Sequence, residues 1–341
     1  MDPDILRTVW FVLIWVLLGG YAVLDGFDLG VGVLHLFARD DRERRVHMNA
    51  IGPVWDGNEV WLLTGGGALF AAFPAVYATA FSGLYLAMML LLLALIGRAV
   101  AMEFRGQVQG AGWRKTWDWL FGLGSLLPAV LFGVAVGNVL RGLPIPATGE
   151  ADIPFLSLLN PYAILVGLVS LALFVMHGAA FLAVKTEGPL QVRMGRWCVG
   201  AWMVFVVLYV LATLATLFVA PYLFEGMLRN PLFWVLLVLL LGAIIYVPVA
   251  SRPGRSLSAF LATSATVIAA VGLMALSLYP RLIPSGIDLA HSLTIYNASS
   301  TPHTHMVMLV IALIGMPLVI VYTACIYRAF RGKVVVGEDS Y

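Results

Sequence analysis

Long apolar runs alternate with short polar segments along the whole chain. A helix needs roughly 20 apolar residues to cross about 30 Å of hydrocarbon. By this measure the pattern predicts an all-α integral membrane protein with nine transmembrane helices, which we expect to form two four-helix bundles and one peripheral helix. The runs lie at about residues 6–28, 57–74, 79–101, 117–139, 162–184, 197–220, 231–250, 257–279 and 305–327.

The basic residues between these runs indicate how the chain crosses the membrane. If the first helix starts outside, sixteen of the 20 Lys and Arg residues fall in loops on the inner side. The outer side keeps only Arg7, Arg141, Arg229 and Arg281. Because cytoplasmic loops carry an excess of Lys and Arg, this distribution predicts an outside N-terminus and a cytoplasmic C-terminus. A topology with eight or ten spans would break the alternation.

Composition supports a chain embedded in a bilayer. Of the 341 residues, 61% are hydrophobic and 11% are charged, with a net formal charge of +2. Soluble domains carry about 25% charged residues. The basic residues form short clusters between apolar runs, which argues against nucleic acid as a partner. The first apolar run has no small-residue cleavage site after it, so we expect no removable signal peptide.

Acidic residues occur in or beside the first apolar runs. Asp25 and Asp28 lie one helical turn apart near the inner end of the first run, Asp56 and Glu59 lie at the start of the second, and Asp118 lies at the start of the fourth. The predicted topology brings all five to a similar depth on the inner side. Carboxylates at that depth are costly and rare. Either they lie near enough to the interface to be solvated, or they face the bundle interior as part of an ion or proton path.

Arg98, near the inner end of the third run, is the predicted charge partner of these carboxylates. A nearby cation favours the ionised form of a carboxyl and so limits its exchange of protons. Asp56 is therefore open to two interpretations, a fixed ion pair with Arg98 or a step in a proton path. Asn58 and Glu59 are expected to supply polar neighbours around this site.

The second half of the chain differs from the first in the polar residues of its apolar runs. No Asp or Glu lies within these runs, and the feature that comes nearest to a buried acidic group is His177. A single histidine inside a membrane is more often hydrogen-bonded structure than a ligand, although it could contribute to the polar surroundings of the carboxylates. We therefore predict one membrane domain over residues 1–341, with an acidic half at 1–140 and an apolar half plus the ninth helix at 160–330.

Three consecutive glycines, Gly65, Gly66 and Gly67, lie within the second run. Glycines without side chains allow a neighbouring backbone to approach closely in a membrane. The sequence therefore predicts a helix-packing site here, which a Gly66→Leu substitution would force apart.

Five motifs are distributed along the chain. They are DGFDLGVG at 25–32, ERR at 43–45, WDGNEVWLLTGGGALFAAFP at 55–74, WDW at 117–119 and GNVLRGLP at 137–144. These motifs resemble those of subunit II of the cytochrome bd-type quinol oxidases. Their order and spacing agree with that family over essentially the whole chain, and the long central block is the most specific.

The resemblance implies a nine-helix subunit without haem ligands of its own, beside a similarly folded, obligate subunit I that holds haem b and haem d. Such a complex oxidises ubiquinol on the outer side, reduces O2 to water and takes protons from the cytoplasm. The resemblance further implies small single-helix accessory subunits, lipid and bound ubiquinone as partners, in a bacterial inner membrane. It also places a proton-conducting aspartate at Asp25, which we expect to receive protons first and to pass them on through Asp56 or Asp118. Some relatives carry an amide at the position of Glu59.

The residues themselves offer no obvious redox site, and we expect no metal bound by this chain. There is no dinucleotide fingerprint, no CxxC and no facing pair of intramembrane histidines. The expected contribution is therefore scaffold plus proton delivery. The main alternative is a proton-coupled secondary transporter that uses the inner carboxylates for coupling, and a third possibility is a purely structural assembly partner. Haem bands in the visible spectrum of the purified complex would favour the oxidase.

Overall fold

The computed structural model describes residues 2–147 and 153–337, and the two ends of the predicted single domain lie partly outside these ranges. The described residues form α-helices joined by short loops and one small hairpin. The α-helices are α1 (Pro3–His35), α2 (Asp41–Ile51), α3 (Trp55–Ala72), α4 (Pro74–Gly83), α5 (Tyr85–Phe104), α6 (Ala111–Arg141), α7 (Pro161–Lys185), α8 (Gly188–Val219), α9 (Pro231–Ala250), α10 (Ser256–Leu278) and α11 (Pro302–Ala329).

Eight of the described helices are long and apolar enough to cross a membrane, namely α1 and the helices from α5 to α11. They correspond to eight of the nine predicted spans. The remaining span, predicted at 57–74, is helix α3, which is not among the eight. Its polar first turns and three glycines lower its hydropathy, while its 18 residues rise about 27 Å, close to the thickness of the hydrocarbon.

The boundary between the second and third predicted spans differs from the sequence-based expectation. A helix predicted at 79–101 is divided at Leu84 into α4 and α5. Helix α3 ends at Phe73, whose φ of −136° and ψ of 69° are not helical. Pro74 follows as the first residue of α4, where its missing N–H and fixed φ are tolerated. Proline therefore sets the end of α3, close to the end predicted at 74, whereas the division at Leu84 lies inside the span predicted at 79–101 and was not expected.

Helix α1 lies at the centre of the helix bundle and contacts α3, α6, α7 and α10. Its crossing with α7 is tight, because a Cβ built on Gly30 would lie 1.9 Å from the carbonyl oxygen of Phe174. A Cβ built on Gly178 would lie 2.5 Å from the carbonyl carbon of Gly30. Only glycine at both positions allows the two backbones to approach this closely.

One end of the bundle, here called the basic end, carries α2 and the α5–α6 connection at residues 105–110. Helix α2 begins at the N-cap Asp40, whose side chain accepts a hydrogen bond from the backbone N–H of Glu43. Its buried face includes His47, and the buried Met48 and Ile51 pack into the main hydrophobic cluster with α1 and α7. The amphipathic α2 therefore covers the basic end of the bundle.

The opposite end holds a second hydrophobic cluster, built around Trp10, Phe11 and Phe73. A two-stranded antiparallel hairpin between α10 and α11 packs against it, with β1 at Arg281–Ile283 and β2 at Leu293–Thr294. This small sheet adds to the predicted all-α architecture without changing the bundle.

Candidate functional site

The guanidinium of Arg98 on α5 joins two carboxylates from other helices. Both of its terminal nitrogens lie 3.0 Å from Oδ1 of Asp25 on α1, and one of them lies 2.7 Å from Oε1 of Glu59 on α3. Arg98 is 1% exposed and Asp25 is completely buried. Three helices are therefore held together by charge-assisted hydrogen bonds in the interior of the chain.

A second carboxyl on α1 continues this cluster. Asn58 on α3 donates a hydrogen bond of 2.8 Å to Oδ2 of Asp28 and another of 3.1 Å to the carbonyl of Leu24. The hydroxyl of Tyr327 on α11 donates to the side-chain oxygen of Asn58 at 3.2 Å. The chain of polar groups thus runs from α5 through α1 and α3 to α11. We call Asp25, Asp28, Asn58, Glu59, Arg98 and Tyr327 the Arg98 cluster.

The Arg98 cluster contains three carboxyl groups and one guanidinium. If all three carboxyls were ionised, a largely buried site would hold two uncompensated negative charges, which is very costly. Moreover, Oδ2 of Asp25, Oδ1 of Asp28 and the hydroxyl of Tyr21 are buried without a hydrogen-bond partner among the described residues. The charge balance therefore disfavours full ionisation of the three carboxyls.

Exposure differs among the acidic residues of this region. Asp25 and Asp28 are fully buried, whereas the side chain of Glu59 is 21% exposed and Asp56 lies on the surface. The expectation that water reaches Asp25 directly is not met within this chain. The alternative of an Asp56–Arg98 ion pair is also wrong, because Arg98 pairs with Asp25 and Glu59 instead. Among the three carboxyls of the cluster, only Glu59 is therefore partly exposed in the chain alone.

His177 on α7 is a structural neighbour of this site. One ring nitrogen lies 2.8 Å from the hydroxyl of Thr263 on α10, and the other lies 2.9 Å from the carbonyl of Val23 on α1. Its ring also stacks on Phe260. Both nitrogens are engaged, so His177 ties α7 and α10 to the turn of α1 that precedes Asp25.

Asp118 lies in a separate cluster at the basic end. Its carboxylate bonds His35 on α1 at 2.8 Å and Arg105 at 2.5 Å, and Arg44 lies 3.4 Å away. Asp41 on α2 bonds the same Arg105 at 2.6 Å. Arg114 lies 3.3 Å from Asp41. We call His35, Asp41, Arg44, Arg105, Arg114 and Asp118 the Asp118 cluster. The depth predicted for Asp118 was similar to that of Asp25, but the described contacts do not join the two clusters.

One residue of the Asp118 cluster, Arg105, and one residue beside it, His47, have shifted pKa values. The pKa of His47 on α2 is lowered to about 3, mainly because burial disfavours its charged form, with the neighbouring His35 and Arg193 adding to the effect. The pKa of Arg105 is raised, because its bonds to Asp118 and Asp41 and their charges outweigh the effect of burial. Neither ring nitrogen of His47 has a partner among the described residues.

The three glycines of α3 are not equivalent. A Cβ on Gly65 would lie 3.3 Å from the side chain of Leu18 on α1. Positions Gly66 and Gly67 have no atom of the described chain within 4 Å of such a Cβ. Close backbone contacts between helices lie instead at other glycines, with the shortest distance at Gly30 on α1. The face of α3 that carries Gly66 is open, and its predicted packing would need a neighbouring protein.

Sequence reasoning missed Tyr327 and His35 as members of these clusters. His35 follows Asp28 by seven residues, two helical turns, so the same face of α1 was a usable signal. Tyr327 gave no such signal, because α11 is distant in sequence and its rotation is set by packing. Among the described residues, no group of three or more His, Cys, Asp or Glu side chains could hold a metal ion.

Comparisons with known proteins agree over nearly the full chain. The family model for cytochrome bd terminal oxidase subunit II matches residues 6–330. The cytochrome bd ubiquinol oxidase subunit 2 of Bacillus subtilis is 39% identical over 333 residues, covering 96% of this chain and 97% of the relative. The cytochrome bd-I ubiquinol oxidase subunit 2 of Escherichia coli K12 is 34% identical over 369 residues, covering 98% and 96%.

A solved structure supports the fold independently. A chain in the structure of the bd oxidase from Geobacillus thermodenitrificans superposes with a TM-score of 0.79. The alignment covers 95% of this chain and 98% of that chain, at 18% sequence identity. At this identity the likeness speaks for the fold alone.

Proposed function

The chain belongs to the family of subunit II of the cytochrome bd terminal oxidases, as its motifs suggested, and from this premise we propose that it delivers protons to a haem-bearing partner subunit. In this proposal the complex oxidises quinol and reduces O2 to water. The chain contributes scaffold and a proton path, and the redox groups, haem b and haem d, are held by subunit I. The comparisons favour the oxidase family, and no observation on the described residues favours a secondary transporter.

The proposed topology has nine spanning helices, with α3 as the ninth, an outside N-terminus and a cytoplasmic C-terminus in a bacterial inner membrane. Successive spanning helices alternate in direction, which puts the arginine-rich loops at the basic end. Helices α1, α3, α5 and α6 would form one four-helix bundle, α7 to α10 a second, and α11 would be peripheral. The sparse contacts of α11, made to α1 and α3, support this division.

The proposed partner is subunit I, and the open flank around the Arg98 cluster supports its position. Residues of α3, α5 and α11 on this flank, such as Leu63, Leu93 and Tyr322, are more than 60% exposed in the chain alone. Small accessory subunits, lipid and a bound quinone remain expectations from the family resemblance. The charge balance of the Arg98 cluster is the observation that carries the functional proposal.

Reduction of one O2 to water consumes four protons, and protons do not cross the apolar helices unaided. In the proposed path, water near Asp56 and Glu59 supplies protons to Asp25 and Asp28, which pass them toward the partner. A buried carboxyl can serve this role because its neutral form is stable in the interior. Arg98 keeps part of the cluster ionised, so an acceptor is always present. Asp118, bonded to Arg105 and His35, would act as an anchor of α6 at the basic end instead of a relay.

The test compares Asp25→Asn with Asp56→Asn in the purified complex. Asparagine keeps an oxygen that accepts from Arg98 but cannot carry a proton. After haem content has been matched by visible spectroscopy, we expect quinol-driven oxygen consumption to fall at least about tenfold in Asp25→Asn. Asp56→Asn should stay near the parent rate, because water reaches Glu59 without it.

A control variant, Asp4→Asn, removes an exposed carboxylate at the opposite end of the chain. If Asp25→Asn assembles with full haem and turns over at the parent rate from pH 6 to pH 9, the relay is refuted. The chain would then be a structural assembly partner.

A further inference from the structure

A cavity of about 380 Å³ lies at the basic end, between the end of α1, the start of α2 and the start of α6. The polar residues that line it include His35, Asp41, Arg44, Arg114, Lys115 and Asp118. It is distinct from the Arg98 cluster, with which it shares no residue. Its size is enough for a small polar group such as a phosphate with its bound water.

The charges around this cavity are not balanced. Four cations, Arg44, Arg105, Arg114 and Lys115, surround two carboxylates, Asp41 and Asp118, which leaves an excess of two positive charges. The ion pairs of the two lining arginines are long, at 3.4 Å for Arg44 with Asp118 and 3.3 Å for Arg114 with Asp41. Both guanidinium groups therefore keep donors for a further acceptor.

Two buried polar atoms of lining residues have no partner among the described residues. They are Nδ1 of His35, on a completely buried side chain, and Nε of Arg44. The first turn of α6 adds backbone donors at the same place, because its N-cap, Gly110, supplies no side-chain acceptor. A helix of 31 residues also directs the positive end of its dipole here. The unpaired Nε of Arg44, the backbone donors and the helix dipole favour an anion, whereas a neutral His35 ring that donates from Nε2 to Asp118 leaves its Nδ1 as an acceptor.

Three tryptophans near the cavity are typical of the level of the membrane surface. Trp113, Trp117 and Trp119 lie in the first turns of α6, and tryptophan concentrates at the interface between lipid and water. Trp119 lines the cavity and is 53% exposed, while Leu120 and Leu123 beyond it begin the exposed apolar flank of the helix. A headgroup in the cavity could therefore have its acyl chains along α6.

We propose that this cavity binds a phosphate group, supplied by the headgroup of an anionic phospholipid of the adjacent leaflet. Arg44, Arg114 and Lys115 would contact the phosphate oxygens, and the N–H groups of the first turn of α6 would add to them. Guanidinium groups suit this role because they bind phosphate oxygens with paired donors. The carboxylates Asp41 and Asp118 hold the arginines in position.

The experiment uses the purified complex of this chain with its partner subunit, stripped of loosely bound lipid in detergent. Phosphatidylglycerol in mixed micelles is titrated by calorimetry, then phosphatidylcholine, and finally inorganic phosphate. In Arg114→Gln/Lys115→Gln we expect the affinity for phosphatidylglycerol to fall roughly tenfold or more, because hydrogen bonds to charged groups are lost. Lys115→Gln alone, which breaks none of the ion pairs described, should lower it by roughly two- to fivefold.

The matched control, Arg255→Gln/Arg331→Gln, removes the same charge from exposed residues at the basic end but outside the cavity. It should leave the affinity at the parent value, and haem content should be equal in all variants. Binding of inorganic phosphate with the same dependence on Arg114 and Lys115, without preference for phosphatidylglycerol, would support the phosphate site and identify a soluble ligand. Equal losses in the cavity and control variants, or no binding of either probe, would overturn the proposal.

Discussion

Glu59 is the partly exposed carboxyl of the Arg98 cluster, with 21% of its side chain accessible in the chain alone, and it accepts a hydrogen bond of 2.7 Å from Arg98. An amide at this position keeps the acceptor and the exposure. We therefore expect Glu59→Gln to retain most of the parent rate of oxygen consumption, with full haem. Glu59→Leu removes the acceptor from a buried guanidinium, which costs about 1–3 kcal/mol and should lower the yield and thermal stability of the complex.

Oxygen consumption and haem content of the two variants, measured on the same preparations, check this prediction. A loss in Glu59→Gln as large as that in Asp25→Asn would mean that Glu59 itself carries the proton, contrary to the account given above.

His47 predicts how stability depends on pH at the basic end. Its pKa is lowered to about 3 in the folded chain from 6.5, so the unfolded chain binds a proton at a higher pH than the folded chain does. The stabilising contribution is complete above pH 6.5 and is lost as the pH falls toward 3. Between pH 6.5 and pH 5 the loss from this group is about 2 kcal/mol.

Thermal unfolding of the complex between pH 5 and pH 8 tests this contribution. His47→Leu removes the titrating group from a buried position, so its stability should fall less steeply on acidification than that of the parent. Parallel curves for parent and variant would contradict the assignment.

At the scale of elements, the crossing of α1 and α7 depends on Gly30 and Gly178. A Cβ at position 30 would lie 1.9 Å from a backbone oxygen, so Gly30→Ala must push the helices apart. Overpacking of this kind typically costs about 1–3 kcal/mol. Because α1 also carries Asp25 and Asp28, we expect Gly30→Ala to lower both the melting temperature and the turnover of the complex.

Gly66→Ala is the matched control for that substitution, since no atom of the described chain lies near the new methyl group. It should leave the fold of this chain unchanged. The larger Gly66→Leu separately tests the predicted packing of α3 on another protein, and a normal yield of the haem-loaded complex would show that this face meets lipid.

The sequence predicts the positions of the helices along the chain well and their rotation poorly. Hydropathy located the apolar runs. Together with loop charge, it predicted a similar membrane depth for Asp25, Asp28, Asp56, Glu59 and Asp118. They could not show that Arg98 pairs with Asp25 and Glu59, or that Asp118 joins Arg105, because those choices depend on how each helix is rotated about its axis. Likewise, the run of three glycines drew attention to α3, whereas the tight crossing uses isolated glycines on α1 and α7. The Gly26-x-x-x-Gly30 spacing was the available signal.

For the whole molecule, the loose attachment of α11 matters most. Its main contacts within the described chain are with α1 and α3, and one of its few side-chain hydrogen bonds joins Tyr327 to Asn58. A subunit with so open a flank should need its partner for stability. Expressed without subunit I, the chain should aggregate or be degraded, and size-exclusion chromatography of the isolated chain checks this. A monodisperse, thermally stable preparation would count heavily against it.

The most direct test of proton delivery through the Arg98 cluster is the rate of proton uptake itself. The fully reduced complex is mixed with O2 in weakly buffered solution, and a pH-indicator dye reports the protons taken up while haem absorbance reports oxygen binding. The account predicts that Asp25→Asn binds oxygen at the parent rate but takes up protons at least about tenfold more slowly, while Asp4→Asn matches the parent in both. Proton uptake in Asp25→Asn at the parent rate, with full haem content, would contradict it.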